Sequence, residues 1–346
     1  MSPYLYLSRK VPERTESMLK LGRLVSLLGA AVLLPLPAST ISAQGAGACA
    51  YEEPAWSPDG SRLLFSSMRD GDFEIYSVRR SGRDLQRLTN HPASESVAAW
   101  SPDGRLIVFV SNREGASTLY LMNSRGNDVR LLSADIGRAS SPAWSPDGRT
   151  MLFEGRYGEN RDLFRVDANG RNVERLTTHA ANDFRPAPSP NGEWIAFNSK
   201  RSGTYQIHRM ASDGATVEQL TYGASNSASP SWSPDGRRVA FLSDRSGNDD
   251  IYVVTLGNRS VARLTTDPGG DRAPRWSPDG RDIAFLSNRG GRPGLYLMSS
   301  DGSKQVLVIE GCADPAGGDH AQDRTMELVL SLLPGEARSR VSVVIR

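Results

Sequence analysis

The chain has 346 residues, with 41 Lys and Arg against 39 Asp and Glu, which gives a net charge of +2. This balance argues against a nucleic-acid-binding protein, because such proteins usually carry a basic excess on one face. The hydrophobic content of 38% argues against a chain that is disordered throughout. Two cysteines exclude a disulfide-dense scaffold and a four-cysteine zinc site.

The N-terminal segment has the order of a secretory signal. Lys20 and Arg23 precede an almost wholly apolar run, Leu24–Leu36, and small residues follow it up to Ala43. Charged, apolar and small residues in this order are typical of a cleaved signal. A membrane anchor is the alternative, but about 13 apolar residues are short for a ~30 Å hydrocarbon core. We therefore expect residues 1–43 to be a signal peptide, with Met18 as the more usual start, and the protein to be periplasmic or secreted.

A five-residue motif, Trp-Ser-Pro-Asp-Gly, recurs through the rest of the chain at steps of 44 residues. Its copies begin at Trp56, Trp100, Trp144, Trp232 and Trp276, and an altered copy begins at Pro188. A phenylalanine stands nine positions after each start, at Phe65, Phe109, Phe153, Phe197, Phe241 and Phe285. Self-similarity at one fixed period is the signature of a repeat architecture.

Each copy contains four short runs of apolar or alternating residues. In the second copy they are Ala98–Ser101, Leu106–Ser111, Thr118–Asn123 and Val129–Ser133. Alternation with β-branched and aromatic residues predicts strands. The Ser-Pro-Asp-Gly sequence suits a tight turn, because Pro fixes φ near −65° and Gly accepts positive φ.

Four antiparallel strands per 44-residue copy match one blade of a β-propeller. The sequence therefore predicts an all-β fold, a six-bladed β-propeller of four-stranded antiparallel blades over residues 54–309. Residues 44–53 are expected to form a linker or seam. Residues 310–346 break the pattern and are expected to form a C-terminal tail close to that seam.

The fifth copy resembles the TolB-like, WD40-like propeller repeat, also called PD40. The family pattern is P-x-W-S-P-D-G, an I-A-F strand, S-x-R, an I-Y strand and L-T. The matching residues are Pro230 to Gly236, Val239-Ala240-Phe241, Ser243-Asp244-Arg245, Ile251-Tyr252 and Leu264-Thr265. The resemblance extends to the C-terminal propeller of TolB and not to its N-terminal domain. It implies protein–protein interaction in the cell envelope.

Two sets of charged residues are expected at the mouth of the central channel. In the family's strand order, the upper face carries the loops after the Phe strands and the connections between blades. Arginines follow the Phe strand at Arg69, Arg113, Arg201, Arg245 and Arg289, and carboxylates precede the motif in alternate copies at Glu95, Asp183 and Asp271. One interpretation is a mouth that binds a cation or a basic peptide. The other, which we favour, is an Arg–carboxylate lattice that braces neighbouring blades.

The two cysteines are expected to meet where the ring closes. Six periods of 44 residues bring residue 313 onto Cys49, and Cys312 is one residue away. An exported protein meets an oxidising compartment, so a Cys49–Cys312 disulfide is predicted. Two free thiols are the alternative, as is a lipidated Cys49 that would attach the chain to a membrane.

No catalytic signature is visible. The chain lacks an H-E-x-x-H helix, a G-x-S-x-G elbow and a Gly-rich phosphate loop, so we predict no catalytic residue, metal ligand or cofactor. We expect a non-catalytic scaffold that binds an unidentified envelope protein and no nucleic acid. The alternative is a propeller enzyme, a lyase or hydrolase acting on a glycan or small molecule at the channel mouth. Only the Arg156–Arg161 loop and Asp183-Phe184-Arg185 hint at the non-repeated polar residues that an enzyme needs. A sensor ectodomain is a third hypothesis.

Overall fold

The computed structural model describes residues 51–133 and 136–311, and these residues contain no α-helix. They form six sheets, each of four antiparallel strands in chain order, so the predicted six-bladed propeller is confirmed. The predicted signal peptide, the linker as far as residue 50, and the tail from residue 312 lie outside the described residues. None of the described helical segments is long and apolar enough to cross a membrane.

Every blade has three strands of six or more residues and a shorter outer strand. The first three blades contain β1 Tyr51–Trp56, β2 Arg62–Asp70, β3 Asp72–Arg79, β4 Gln86–Arg87; β5 Glu95–Trp100, β6 Leu106–Ser111, β7 Thr118–Asn123, β8 Arg130–Leu131; and β9 Ala139–Trp144, β10 Thr150–Tyr157, β11 Asn160–Asp167, β12 Glu174–Arg175. The last three contain β13 Asp183–Pro188, β14 Trp194–Ser199, β15 Gln206–Ala211, β16 Glu218–Gln219; β17 Ser227–Trp232, β18 Arg238–Ser243, β19 Asp250–Thr255, β20 Val261–Arg263; and β21 Asp271–Trp276, β22 Asp282–Ser287, β23 Gly294–Ser299, β24 Val306–Glu310.

The motif forms the turn between the first and second strand of each blade, on what we call the lower face. In blade 1 the Gly60 amide donates to the Ser57 carbonyl at 2.9 Å, and Gly60 has φ of +69°. The Ser57 hydroxyl donates to Asp59 at 2.5 Å, and this bond lowers the pKa of the Asp59 carboxyl. The motif residues therefore specify a turn with a left-handed glycine, as the sequence predicts.

The first strand of every blade contains a β-bulge two residues after its start. The six bulged residues all have positive φ although none is glycine: Glu53, Val97, Ser141, Arg185, Ser229 and Ala273. In blade 4, for example, the register between β13 and β14 shifts between Phe184 and Ala187. A bulge re-aims side chains at a strand edge, and four of these residues line the central channel: Glu53, Val97, Ser141 and Arg185.

The core lies between the blades. Each motif phenylalanine is at most 1% exposed and packs against the aromatic ring of the adjacent third strand, with centroids 5.4 to 5.9 Å apart. One apolar cluster joins Leu64 and Ile75 of blade 1 to Ile107 and Phe109 of blade 2. Because each blade buries its faces against two neighbours, the six copies make one domain.

The ring closes with the contacts that the repeat uses elsewhere. A Cβ on Gly126 of blade 2 would lie 2.2 Å from the Leu88 carbonyl oxygen of blade 1, and a Cβ on Gly82 of blade 1 would lie 2.3 Å from that of Val308 in blade 6. The Tyr51 hydroxyl also donates to the Glu310 carbonyl at 2.7 Å. The first and last described strands are therefore neighbours at the seam.

Candidate functional site

The three carboxylates expected at the channel mouth are fully buried and paired. Glu95, Asp183 and Asp271 each have 0% exposure. Their partners are the arginines 18 residues further on, with Arg113 2.8 Å from Glu95, Arg201 2.8 Å from Asp183, and Arg289 3.0 Å from Asp271. Each pair joins the first strand of a blade to the segment that follows the second strand of the same blade, whereas the sequence interpretation expected braces between neighbouring blades. Each buried negative charge is thus matched by one positive charge.

The five repeated arginines also lie over the aromatic ladder of their own blades. Their guanidinium carbons are 4.7 to 5.1 Å from the nearest ring centroid, and the residues are Arg69, Arg113, Arg201, Arg245 and Arg289. In blades without a carboxylate, Arg69 donates to the Tyr51 hydroxyl at 2.7 Å and Arg245 to the Ser227 hydroxyl at 3.1 Å. Each arginine is therefore held by cation–π and hydrogen-bond contacts within its blade.

A second set of buried ion pairs occupies the odd-numbered blades. The pairs are Glu74–Arg87 at 2.8 Å, Asp162–Arg175 at 2.8 Å and Asp250–Arg263 at 2.7 Å. Together with the pairs of the even blades they form six pairs, which we call the blade ion pairs. Sequence reasoning missed this second set, although its carboxylates recur at steps of 88 residues. The charged network therefore repeats every two blades.

The histidines behave as loop and core residues. His91 and His179 each accept a hydrogen bond at Nδ1 from the amide two residues later, at 3.0 and 2.9 Å. Both histidines therefore stabilise their own loops. His208 is 2% exposed, stacks on Phe197, and has its pKa lowered by burial.

Three charged residues meet in the central channel. Glu53 of blade 1 lies 2.8 Å from Arg185 and 2.9 Å from Arg275 of blade 6. Arg185 belongs to blade 4, diametrically opposite blade 1, so its side chain crosses the channel. Burial raises the pKa of the Glu53 carboxyl, but the charges of Arg185 and Arg275 outweigh burial and hold this pKa below its usual value. We call these residues the channel trio.

The two segments singled out in the sequence meet beside this trio. The buried Glu154 carboxylate accepts hydrogen bonds from the Ser141 hydroxyl at 3.1 Å and from the Arg185 amide at 3.3 Å. The Arg156–Arg161 segment, expected as a loop, is the tight hairpin between β10 and β11. Arg161, in β11, approaches the same carboxylate at 3.3 Å. Burial raises the pKa of Glu154. The non-repeated polar residues therefore converge on blades 3 and 4.

Blades 3 and 4 also carry an aromatic and cationic surface on the upper face, the upper-face patch. It consists of Tyr157, Arg161, Phe184, Lys200 and Tyr205. Arg161 lies 5.5 Å from the Phe184 ring, the two rings are 5.7 Å apart, and Lys200 lies 5.8 Å from the Tyr205 ring. Tyr157, which replaces the repeated arginine in blade 3, is 62% exposed.

The predicted disulfide and the search for a metal site come last. Cys49 and Cys312 lie outside the described residues, so their disulfide stays a prediction. Within residues 51–133 and 136–311, no group of three His, Cys, Asp or Glu side chains is arranged to hold a metal ion.

Comparison with known proteins agrees with the closed propeller. The model of the TolB beta propeller domain (PD40) matches residues 38–136, 130–229 and 224–315. The chain therefore belongs to the TolB β-propeller family. No curated protein matches the sequence.

Several solved structures share the fold. TolB from Acinetobacter baumannii is 23% identical over 77% of this chain and 64% of its own length, with a TM-score of 0.61. A candidate TolB from Agrobacterium tumefaciens is 26% identical over 76% of this chain and 81% of its own, with a TM-score of 0.51. An oligogalacturonate lyase from Vibrio parahaemolyticus is 15% identical over 75% and 77%, with a TM-score of 0.53. This chain thus spans less than two thirds of the Acinetobacter protein.

Proposed function

We propose that this protein is an exported, non-catalytic scaffold that binds a protein partner in the cell envelope. The upper-face patch carries the proposal: Tyr157 and Arg161 are exposed and Phe184 and Tyr205 are half-buried beside them. Tyr, Phe and Arg are the residue types enriched at protein–protein interfaces. The repeat does not require the exposed Tyr157, since the equivalent position in the other five blades is arginine.

Membership of the TolB β-propeller family and the signal-like N-terminal sequence support a periplasmic or secreted location. A mature chain beginning near Gln44 has 36 basic and 37 acidic groups, a net charge of −1, because residues 1–43 contain five of the 41 basic and two of the 39 acidic residues. Such a chain has no charge excess that would attract nucleic acid.

The alternative is a propeller enzyme that acts on a glycan or small molecule at the channel mouth. The oligogalacturonate lyase resembles this chain at the level of fold, and fold does not imply function. The carboxylates of the blade ion pairs are poor candidates for acid–base catalysis, because each is buried against an arginine.

Affinity capture with the mature chain tests the scaffold proposal. Envelope extract is passed over the wild type, over an Arg161→Ala/Tyr205→Ala variant, and over Tyr222→Ala. Tyr222 is a matched control because it is also exposed, at 57%, but lies outside the patch. We expect one protein to be retained by the wild type and the control, and to be lost at least tenfold by the patch variant. The proposal is contradicted if the patch variant retains the protein as well as the wild type does. It is also contradicted if no protein is retained and the chain turns over a glycan in a panel of glycans.

A further inference from the structure

The lower part of the central channel is a cavity of about 330 Å³, which we call the vestibule. Proline and alanine make up more than half of its lining residues, and Trp100, Trp144 and Trp232 add to the apolar wall. It reaches the lower face at Pro102, Pro146 and Pro190, and among the described residues its only charged lining comes from the channel trio. An apolar cavity with a few convergent polar groups is the usual form of a small-ligand site.

The propeller does not need these charges. At the bulge position of Glu53 and Arg185, the other four blades have Val97, Ser141, Ser229 and Ala273. At the position of Arg275, the other five blades have Ala55, Ala99, Ala143, Ala187 and Ser231. Small neutral side chains therefore satisfy the fold at both levels of the channel, and the trio is an exception to the repeat.

The trio carries one more positive than negative charge. Arg185 uses Nη1 to contact Glu53 and to donate to the Ser229 hydroxyl at 2.5 Å. Arg275 uses Nη2 for Glu53 and Nη1 for the Pro274 carbonyl at 2.9 Å. Each guanidinium has five N–H donors, so both retain donors for a further acceptor. The side chains of Arg185 and Arg275 are 40% and 24% exposed, so a ligand can reach them. The carboxylates of Glu52 and Glu154 also interact with Arg185, so the case for a ligand rests on the free donors.

We propose that the vestibule binds a carboxylate that carries an apolar body. The carboxylate accepts hydrogen bonds from Arg185 and Arg275, whose planar forks suit it. The apolar body lies against the proline and alanine wall. Glu53 competes with the ligand for the two arginines and tunes its affinity.

The same chemistry is offered by a free aromatic or aliphatic acid and by the C-terminus of a peptide. The vestibule opens on the lower face, whereas the upper-face patch lies on the opposite side of the ring. The two sites adjoin at Glu154, which contacts both Arg161 of the patch and the Arg185 amide, but they share no residue. They are tested with different variants, so failure of one proposal is distinguishable from failure of the other.

Isothermal titration calorimetry of the mature chain with benzoate tests the site, with benzamide as the neutral match. A hydrophobic tripeptide, with a free or an amidated C-terminus, tests the peptide source. We expect the acid to bind and its amide to bind at least tenfold more weakly. Arg185→Gln and Arg275→Gln should each weaken binding about tenfold, whereas Glu53→Gln should strengthen it several-fold. Arg272→Gln is the control, because Arg272 is exposed and does not line the vestibule.

The arginine variants should weaken carboxylate binding and Glu53→Gln should strengthen it, and these opposite changes distinguish a ligand site from a brace across the ring. A brace would change the melting temperature in all three trio variants without changing carboxylate binding. If a variant does not fold, the wild type labelled at alanine methyl groups serves instead, because Ala99, Ala143 and Ala187 line the vestibule and their resonances should shift with the acid alone.

Binding of the free-acid tripeptide without benzoate, with the same variant pattern, would support the site with a peptide as its source. The proposal is wrong if neither acid binds, or if binding is indifferent to Arg185→Gln and Arg275→Gln. It is equally wrong if the wild-type methyl resonances do not move.

Discussion

The blade ion pairs and the channel trio use the same chemistry, arginine with carboxylate, in two different arrangements. Each blade pair joins a fully buried carboxylate to an arginine of the same blade and recurs around the ring, as in Asp183–Arg201 and Asp250–Arg263. The trio is two-to-one, joins blades 1, 4 and 6, and occurs once. A pair that recurs with the repeat serves the fold, whereas a cluster that departs from the repeat and keeps free donors is a candidate ligand site.

Of the changes considered, loss of the predicted Cys49–Cys312 disulfide is expected to have the largest effect on stability. The seam places Tyr51 and Glu310 in contact, two residues from Cys49 and Cys312 respectively. Replacing both cysteines by serine should lower the free energy of unfolding by up to about 5 kcal/mol in the chain-entropy model. Denaturant titration measures this loss, and non-reducing peptide mapping of the wild type that finds both thiols free would reject the bond.

Breaking one blade ion pair should have the next largest effect. Asp183→Ala leaves Arg201 with 15% exposure and no carboxylate, and should cost about 3 kcal/mol of unfolding free energy. Glu159→Ala is the control, because Glu159 is 95% exposed and surface pairs contribute little.

The same residues test the cation-binding interpretation of the channel mouth. Replacing Asp183 and Asp271 with Asn should lower the melting temperature and leave the binding of a cation or a basic peptide unchanged. A selective loss of such binding, with stability retained, would instead make the mouth a ligand site.

The pH dependence of stability should separate Glu53 from Glu154. Because the folded pKa of Glu53 is lowered, its stabilisation relative to Glu53→Gln is present above the unfolded pKa of about 4.3 and is lost as pH falls through the folded pKa. The folded pKa of Glu154 is raised by burial, so the wild type should lose stability relative to Glu154→Gln as pH rises above about 4.3. Unfolding titrations between about pH 3 and 8 measure both trends, and equal signs would show that the trio is not a distinct electrostatic site.

The smallest effect is expected where blade 3 departs from the repeat. Tyr157 is exposed and contacts Arg175 across 4.1 Å, so Tyr157→Ala should cost less than about 1 kcal/mol. A much larger loss in thermal unfolding would mean that Tyr157 supports blade 3 as Arg113 supports blade 2, and would weaken its assignment to a binding surface.

The strands of blade 2 and the bulge of blade 4 show which features could be predicted from the sequence. Leu106–Ser111 and Thr118–Asn123 are predicted with the bounds that the structure has, because their alternation and turn residues are local signals. The outer strand of the same blade is shorter than predicted, Arg130–Leu131, since only two of its residues pair with the neighbouring strand. The bulge at Arg185 has no local signal, because its left-handed residue is not glycine.

The sequence by itself determined the strands of a blade, the number of blades and the turns, because a 44-residue period repeats the same apolar and turn residues six times. It also indicated which arginines and carboxylates recur. Only the tertiary structure decided which charges meet. Asp183 pairs inside its own blade with Arg201, and Glu53 meets an arginine 132 positions away in the chain, since ring closure brings opposite first strands to one channel. Contacts across the ring depend on the curvature of all six blades, which no local pattern encodes.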